Sequence, residues 1–403
     1  MNPRFVRLTF VIVTLLLFSL PEIINNQSLA KETRNNGQSP LEFIEPDPLL
    51  PDINPKKTLN YQEIEKIETA IATLQAQGES WQAEGNLAEA FATWYRELRL
   101  RQLLPDRVQE ITALGRVGAI AWQENRTQDL KYINSRLQVI QQKFSAVETT
   151  EPEVLDALAA AYLAVKNFDR STIIYEQILK KAREKQDKAK IKATLETLGE
   201  IYLIRFNYPA AARIYEELLA QAIAASNTYQ EGEYLAKLAM IYRESTQPAN
   251  GIKIKKQLIQ TYLDQQETAK IPAVKIALGD DYRALDEPEK ANQAYQEAFN
   301  LAWSLQQLAV AKEALEKLAD LYQSYNQAEY ALQVYQELIK VEQNSYDYYG
   351  LMNTYEKMGE IYFNKKDYNQ ALSFYQKALQ IAQSLNYRQA YLQGKIEQIK
   401  QNL

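Results

Sequence analysis

The chain has 403 residues, no cysteine, no histidine and a formal net charge of −5. The absence of Cys and His excludes thiol nucleophiles, disulfides, Ser-His-Asp triads and almost all zinc chemistry. We therefore expect no catalytic residue, no metal and no cofactor. The mild acidity argues against nucleic-acid binding, which requires a basic surface. The 12 glycines and 13 prolines are few, as is typical of an almost wholly helical chain.

Residues 1–30 are predicted to be a signal peptide. Arg4 and Arg7 precede an uncharged run over residues 8–20, which is too short to span a bilayer, since that takes about 20 apolar residues. A basic start, a short apolar run and the small residues Ser28 and Ala30 are typical of a secretory signal cleaved after Ala30. The sequence therefore predicts export to the periplasm or another cell-envelope compartment. An uncleaved N-terminal membrane anchor is the alternative.

Residues 31–60 are predicted to be an extended, proline-rich linker. Five prolines disfavour helix in this segment. Apolar residues lie between them, namely Leu41, Phe43, Ile44, Leu49, Leu50 and Ile53. Two interpretations remain: a tether that also packs on the first repeat, or a segment that occupies a groove in this or another molecule.

From residue 61 to residue 387 one pattern recurs eight times, at every fortieth position with a single step that is one longer. A small residue is followed after three positions by an aromatic, after nine more by a second small residue, and after four more by a second aromatic. The first small position is occupied by Gly78, Gly118, Ala159, Gly199, Ala239, Gly279, Ala319 and Gly359. This period predicts eight stacked units (units one to eight), none of which buries its apolar face alone.

Each unit is interpreted as two amphipathic helices joined by a short turn. In unit four the helices are predicted over residues 189–205 and 210–225, separated by a turn at Asn207. Residues 388–403 are predicted to form a capping helix that buries Leu392, Ile396, Ile399 and Leu403 and keeps a polar outer face.

Units two and five depart from the pattern. Asn134 and Lys255 stand at the position of the second aromatic. Gly251 within a predicted helix also costs about 1 kcal/mol relative to Ala. We therefore expect these two units to be less stable than the others.

Unit eight carries the family signature most clearly. Tyr355, Met358, Gly359, Tyr362, Tyr368, Ala371, Tyr375 and Ala378 have the spacing of a tetratricopeptide repeat (TPR). The chain resembles the TPR family over residues 61–387, although its period is longer than the roughly 34 residues usual in that family. The resemblance implies an all-α, right-handed superhelical solenoid of about eight helix pairs plus the capping helix. It also implies a scaffold that binds other proteins.

The resemblance further implies that the first helix of each pair lines the concave surface. Positions four apart on these helices carry acidic pairs such as Glu316 and Asp320. Like charges at this spacing destabilise a helix slightly, so their recurrence indicates either neighbouring cations or a negative surface that binds a basic protein or peptide; the alternative is a solvated acidic face. The candidate partner-binding residues are Asp156, Glu196, Glu200, Arg243, Asp280, Arg283, Glu316, Asp320, Glu356 and Glu360.

A run of opposite sign extends from Lys180 to Lys192, with seven basic and two acidic residues. Such a run is interpreted as a solvated edge or, alternatively, as a peripheral contact with anionic lipid or with an acidic partner.

The sequence thus predicts an exported interaction scaffold or adaptor of the bacterial cell envelope, without enzymatic activity. The alternative is an envelope enzyme or glycan-binding accessory protein that uses paired carboxylates, as glycosidases do. Because the acids repeat with the scaffold, the repeat explains them better than catalysis does.

Overall fold

The computed structural model describes residues 39–42, 47–53, 58–145 and 151–403. Of these residues 81% are helical, and none of them lies in a β-strand. The predicted all-α fold of eight helix pairs and a capping helix is therefore confirmed. The predicted signal peptide lies outside the described residues. Within them, no helix combines the length and the apolar character needed to cross a membrane.

The chain divides into two compact units, Met1–Ile178 and Leu179–Leu403. The first holds α1 (Tyr61–Ala83), α2 (Leu87–Arg101), α3 (Arg107–Gln123), α4 (Thr127–Ser145), α5 (Pro152–Ala164) and most of α6 (Phe168–Glu184). The second continues with α7 (Lys188–Ile204), α8 (Tyr208–Ala224), α9 (Thr228–Glu244), α10 (Pro248–Asp264), α11 (Ile271–Ala284), α12 (Pro288–Ser304), α13 (Leu308–Ser324), α14 (Ala328–Asn344), α15 (Tyr348–Asn364), α16 (Tyr368–Leu385) and α17 (Gln389–Lys400). A short 3₁₀ helix, Thr268–Lys270, precedes α11.

The turns reveal a period half as long as that of the sequence pattern. From Lys166 onwards a non-glycine residue with φ between 50° and 60° recurs at every twentieth position. These residues are Lys166, Gln186, Phe206, Ser226, Thr246, Gln266, Asp286, Gln306, Asn326, Tyr346, Lys366 and Asn386. Each one ends a helix in the same Schellman geometry; at Phe206, its N–H donates to the Leu203 carbonyl and the Asn207 N–H to the Tyr202 carbonyl. One repeat of the sequence pattern is therefore two helix-plus-turn segments of equal length.

After every left-handed position of this series except Asn386, the following residue begins the next helix. Asn207 caps α8 by accepting a hydrogen bond from the Ala210 N–H, and Pro209 follows in the first turn. This geometry suits both residue types, because the first N–H groups of a helix lack internal partners. The predicted helices of unit four agree with α7 and α8 to within two positions.

Small and aromatic positions of one unit pack against each other. A Cβ on Gly199 would lie 2.9 Å from the Tyr215 ring, and one on Gly359 would lie 2.7 Å from the Tyr375 ring. The first small residue of a pair therefore allows the two helices to approach closely enough to bury the aromatic ring of the second.

The described parts of the proline-rich segment pack on the first helix pair. Both carboxylate oxygens of Asp47 accept from Arg96, at 2.8 and 2.9 Å. Leu50 and Ile53 are buried in a cluster with residues of α1 and the end of α2. This arrangement fits the first of the two interpretations, a tether that packs on the first repeat. Phe43 and Ile44 lie outside the described residues.

The capping helix is shorter than predicted. Leu392, Ile396 and Ile399 are buried, as expected, but Leu403 is exposed. The prediction for Leu403 was wrong because α17 ends at Lys400 and no longer carries that side chain onto the buried face.

Candidate partner-binding surface

Acidic residues on the first helices of two pairs are held from two sides. Glu200 on α7 accepts from the Tyr215 hydroxyl at 2.6 Å and from Lys237 Nζ at 2.9 Å. Asp280 on α11 accepts in the same way from Tyr295 at 2.8 Å and from Lys317 at 2.9 Å. In both cases the tyrosine lies 15 positions after the acid, in the second helix of the same pair. The lysine lies 37 positions after the acid, in the first helix of the next pair.

Asp320 and Lys357 make a third pair at the same spacing, with 3.4 Å between Oδ1 and Nζ. We call the three pairs Glu200–Lys237, Asp280–Lys317 and Asp320–Lys357 the acid–lysine ladder. Unit five interrupts the ladder, because Met240 occupies the position of the acid and Ala277 the position of its lysine. The sequence prediction identified the acids and missed the lysines, although their common spacing of 37 positions was the available signal.

The acids one turn earlier also have cations beside them. Glu196 accepts from the Tyr234 hydroxyl at 2.6 Å and lies 3.8 Å from Lys192. Glu316 lies 3.7 Å from Lys312. Of the two explanations that the recurrence of acidic pairs suggested, neighbouring cations are thus observed.

The acidic row is least compensated at its C-terminal end. Glu356 accepts from Arg388 at 3.0 Å. Glu360 is exposed and, within the described part of the chain, has no ion-pair partner. At the ladder spacing beyond it stands Glu397, so the ladder does not continue. Negative charge is therefore concentrated around Glu360.

Hydrogen bonding fixes the protonation states of Glu200 and Tyr215. Partial burial acts to raise the pKa of Glu200, but the bonds from Tyr215 and Lys237 outweigh it and hold this pKa below its ordinary value. Burial, and then the bond to Glu200, raises the pKa of the Tyr215 phenol. At neutral pH the carboxylate is therefore ionised and the phenol is protonated, so neither is poised to exchange a proton.

The remaining predicted residues have other interactions. Arg243 is paired with its neighbour Glu244 at 2.8 Å. Arg283 interacts electrostatically with Tyr295 and Tyr325. Asp156 belongs to the N-terminal compact unit, where it acts on Tyr175.

Two other surface features of the C-terminal compact unit bear on binding. In the basic run, Lys180, Lys185 and Lys188 are exposed, while Arg183 pairs with Glu217 at 2.6 Å. The sequence prediction missed a group of exposed tyrosines in the turns after α14 and α16 and at the start of α15, namely Tyr346, Tyr348, Tyr349 and Tyr387. Their signal was the cluster of three tyrosines between residues 346 and 349, at a turn.

In the described residues no group of three or more Asp or Glu side chains is arranged to hold a metal ion. The arrangement suits reversible contact with charged groups of another molecule.

The tetratricopeptide repeat family model matches residues 353–385, which cover most of α15 and α16. Together with the repeated helix pairs this match confirms the predicted resemblance to the TPR family, and a fold of this type implies protein–protein interaction. No curated protein matches the sequence.

Several solved structures are similar in fold. BtubC from P. vanneervenii is 18% identical, with 54% of this chain and 92% of that chain covered and a TM-score of 0.39. A signal transduction ATPase with a tetratricopeptide repeat sensor from Pyrococcus horikoshii is 16% identical, with 86% and 51% covered and a TM-score of 0.43. A tetratricopeptide repeat protein from Parabacteroides merdae is 13% identical, with 68% and 93% covered and a TM-score of 0.35.

Proposed function

We propose that the protein is an exported scaffold of the bacterial cell envelope that binds a basic protein or peptide along its row of acidic residues. The observation that carries this proposal is the acid–lysine ladder with its uncompensated end at Glu360. The basic start and short apolar run of the N-terminal sequence support export.

The ladder is prepared for binding. Side chains of Glu200, Asp280 and Asp320 are 41–53% exposed, so the ion pairs to their lysines are worth only about 0–1 kcal/mol each. Lys or Arg groups of a partner therefore displace or join these pairs at little cost. The tyrosine bonds keep Glu200 and Asp280 in place, which reduces the entropy lost on binding.

Glu360, which is exposed and has no ion-pair partner among the described residues, provides a point of attraction for a cation. Exposed tyrosines elsewhere on the C-terminal compact unit support a protein partner, because Tyr offers a large, rigid, amphipathic contact area. We assign Glu200 and Tyr215 no catalytic role, since this carboxylate stays ionised and this phenol protonated at neutral pH.

The binding proposal predicts a dependence on charge. Replacing Glu316 by Gln and Asp320 by Asn should slow association with the partner more than it speeds dissociation, because steering acts on encounter rates. Binding should also weaken between low and physiological salt, since exposed charges more than about 8 Å apart are screened there. Glu337→Gln is the matched control, because Glu337 is exposed on α14 and pairs with Lys340.

Affinity capture of the mature chain from envelope extract, followed by interferometry with the captured partner, measures both effects. A partner that binds the double variant and the wild type equally well at every salt concentration would contradict the proposed surface. Export is tested separately: envelope-purified protein should begin at or near Lys31, and full-length protein in the soluble cytoplasm would overturn that part.

Peripheral contact with anionic lipid is proposed for the basic run, because Lys180 near the end of α6, Lys185 in the following turn and Lys188 at the start of α7 are all exposed. Clustered lysines are attracted to anionic membranes. Vesicles with and without phosphatidylglycerol test this contact, and equal sedimentation with both would exclude it.

A further inference from the structure

Glu342 is a buried acid at a position where the other second helices carry none. It lies five positions before the Asp347 N–H that closes the Schellman turn after α14. At the same place Ala182, Ala222, Ala302 and Ala382 stand in α6, α8, α12 and α16 and are buried. Glu342 is only 1% exposed. A carboxyl group thus replaces a methyl group inside the joint between α14 and α15.

The surroundings of Glu342 are adapted to this side chain. Its Oε1 accepts from the Thr354 hydroxyl at 2.9 Å. Gly350, one turn earlier on α15, leaves the necessary space, because a Cβ there would lie 2.7 Å from Glu342 Oε1 and 2.5 Å from Asp347 Oδ2. Glu342 Oε2, however, is buried and has no hydrogen-bond partner among the described residues. Burying such an unpaired oxygen costs far less free energy when the carboxyl group is neutral than when it is ionised.

The charged groups around the site are one cation and two further acids. From α13, Lys312 and Glu316 face it; at the start of α15, Asp347 does so, with its carboxylate 2.5 Å from Lys312 Nζ. Lys312 is thus already engaged by Asp347. On α15, burial and then the charge of Glu342 raise the pKa of the Tyr355 hydroxyl.

We propose that Glu342 is a protonation-controlled latch between α14 and α15: its neutral form keeps α15–α17 packed on α14, and its ionisation loosens this joint. Helix α15 contributes buried apolar residues to the clusters on both of its sides. Met358 and Ile361 share one cluster with Val341 of α14, whereas Met352 shares a second one with Tyr375 and Leu392 of α16 and α17. Opening of the joint therefore separates Met358 and Ile361 from Val341 and leaves the second cluster intact.

The latch operates near neutral pH. Burial raises the pKa of Glu342 from its ordinary 4.5 to about 7, against smaller opposing effects of Thr354 and Lys312. A raised pKa stabilises the closed joint fully below about pH 4.5, and this contribution is lost as the pH rises through 7. The chain has no histidine and no cysteine, so the side chains that ordinarily titrate near this range are absent.

Hydrogen exchange of the full-length protein at pH 6 and pH 8, corrected for intrinsic rates, tests the latch. If the opened joint restores the ordinary pKa, the open fraction of residues 348–400 should rise roughly tenfold between these pH values. Glu342→Gln keeps an acceptor for Thr354 and cannot ionise, so its exchange should be slow and equal at both. Glu337→Gln, on an exposed part of the same helix, should behave as the wild type.

Either of two results would overturn the proposal: wild-type exchange in residues 348–400 that is the same at pH 6 and pH 8, or a pH response that persists in Glu342→Gln. Confinement to residues 348–400 is part of the expectation. An equal acceleration of α7–α10 would mean that global stability, and not this joint, responds to pH.

Discussion

Lys255 shows how one exceptional residue is accommodated by two others. It stands at an aromatic position of the repeat and is 2% exposed, and its Nζ lies 2.5 Å from Asp281 Oδ2. Asp281 in turn stands where other first helices carry buried aliphatic residues such as Ile241 and Leu321. Gly251 completes the set, because a Cβ there would collide with the Asp281 carboxylate. The glycine that the sequence marked as a weakness therefore makes room for an ion pair.

Asp281→Asn should lower the free energy of unfolding by about 3–5 kcal/mol, because it leaves Lys255 buried without its counter-charge. Asp280→Asn is the matched control: its pair with Lys317 is exposed, so a loss of at most about 1 kcal/mol is expected. Urea unfolding followed by circular dichroism measures both. The joint replacement Lys255→Met with Asp281→Leu should be neutral or stabilising. Equal losses for the two Asp variants would contradict the assigned burial.

At the scale of the helix, the half-repeat register of the turns was hidden from the sequence analysis. The twelve left-handed turn residues include Phe206, Thr246 and Tyr346, with only two asparagines and no glycine among them. Glycine or asparagine is the usual sign of such a position, so the sequence showed the packing pattern of the full repeat and not the turn geometry. The repeated hydrogen bonds evidently hold side chains of many kinds in this conformation, although a left-handed residue costs roughly 1–2 kcal/mol.

Gln327→Asn should stabilise the protein by about 1 kcal/mol, because Asn accepts from the third N–H of the helix, which otherwise lacks an internal partner. Gln327 begins α14 without a side-chain cap, whereas the shorter Asn207 and Asn227 cap α8 and α9 at the equivalent place. Urea midpoints of the wild type and the variant measure the gain, with Gln327→Ala as a control that supplies no acceptor. A similar gain in the Ala variant would show that capping is not the cause.

At the scale of the whole chain, features that recur in each repeat could be predicted from the sequence. The residues that pair with charged or exceptional side chains could not. The fold, the eight helix pairs and the acidic row follow from residues that recur at every fortieth position, because each unit buries the same face. The partners of the acids, such as Lys237 for Glu200, depend on how one pair stacks on the next. Likewise Lys255 was recognised as exceptional, but its partner Asp281 was not, since departures in two neighbouring units had to be considered together.

Local opening is the last expectation at this scale. In a repeat protein each unit contacts mainly its neighbours, so stability is close to a sum of unit and nearest-neighbour terms. We still expect units two and five to exchange amide hydrogens faster than units six and seven. The difference in exchange rate should be small, because both exceptional residues have partners. Asn134 accepts a hydrogen bond from Asn167 at 2.8 Å, and Lys255 is paired with Asp281. Slowest exchange in units two and five would contradict the expectation.

Asp281→Asn provides a sharper form of the same test. It should accelerate exchange in α10, α11 and α12, whose packing surrounds the unpaired Lys255, and leave α15–α17 near wild-type rates, because the effect decays along the repeats. Glu337→Gln should change neither region. Equal acceleration of α7 through α17 in Asp281→Asn would instead mean that the C-terminal compact unit opens as one cooperative block, in which a weak unit has no local consequence.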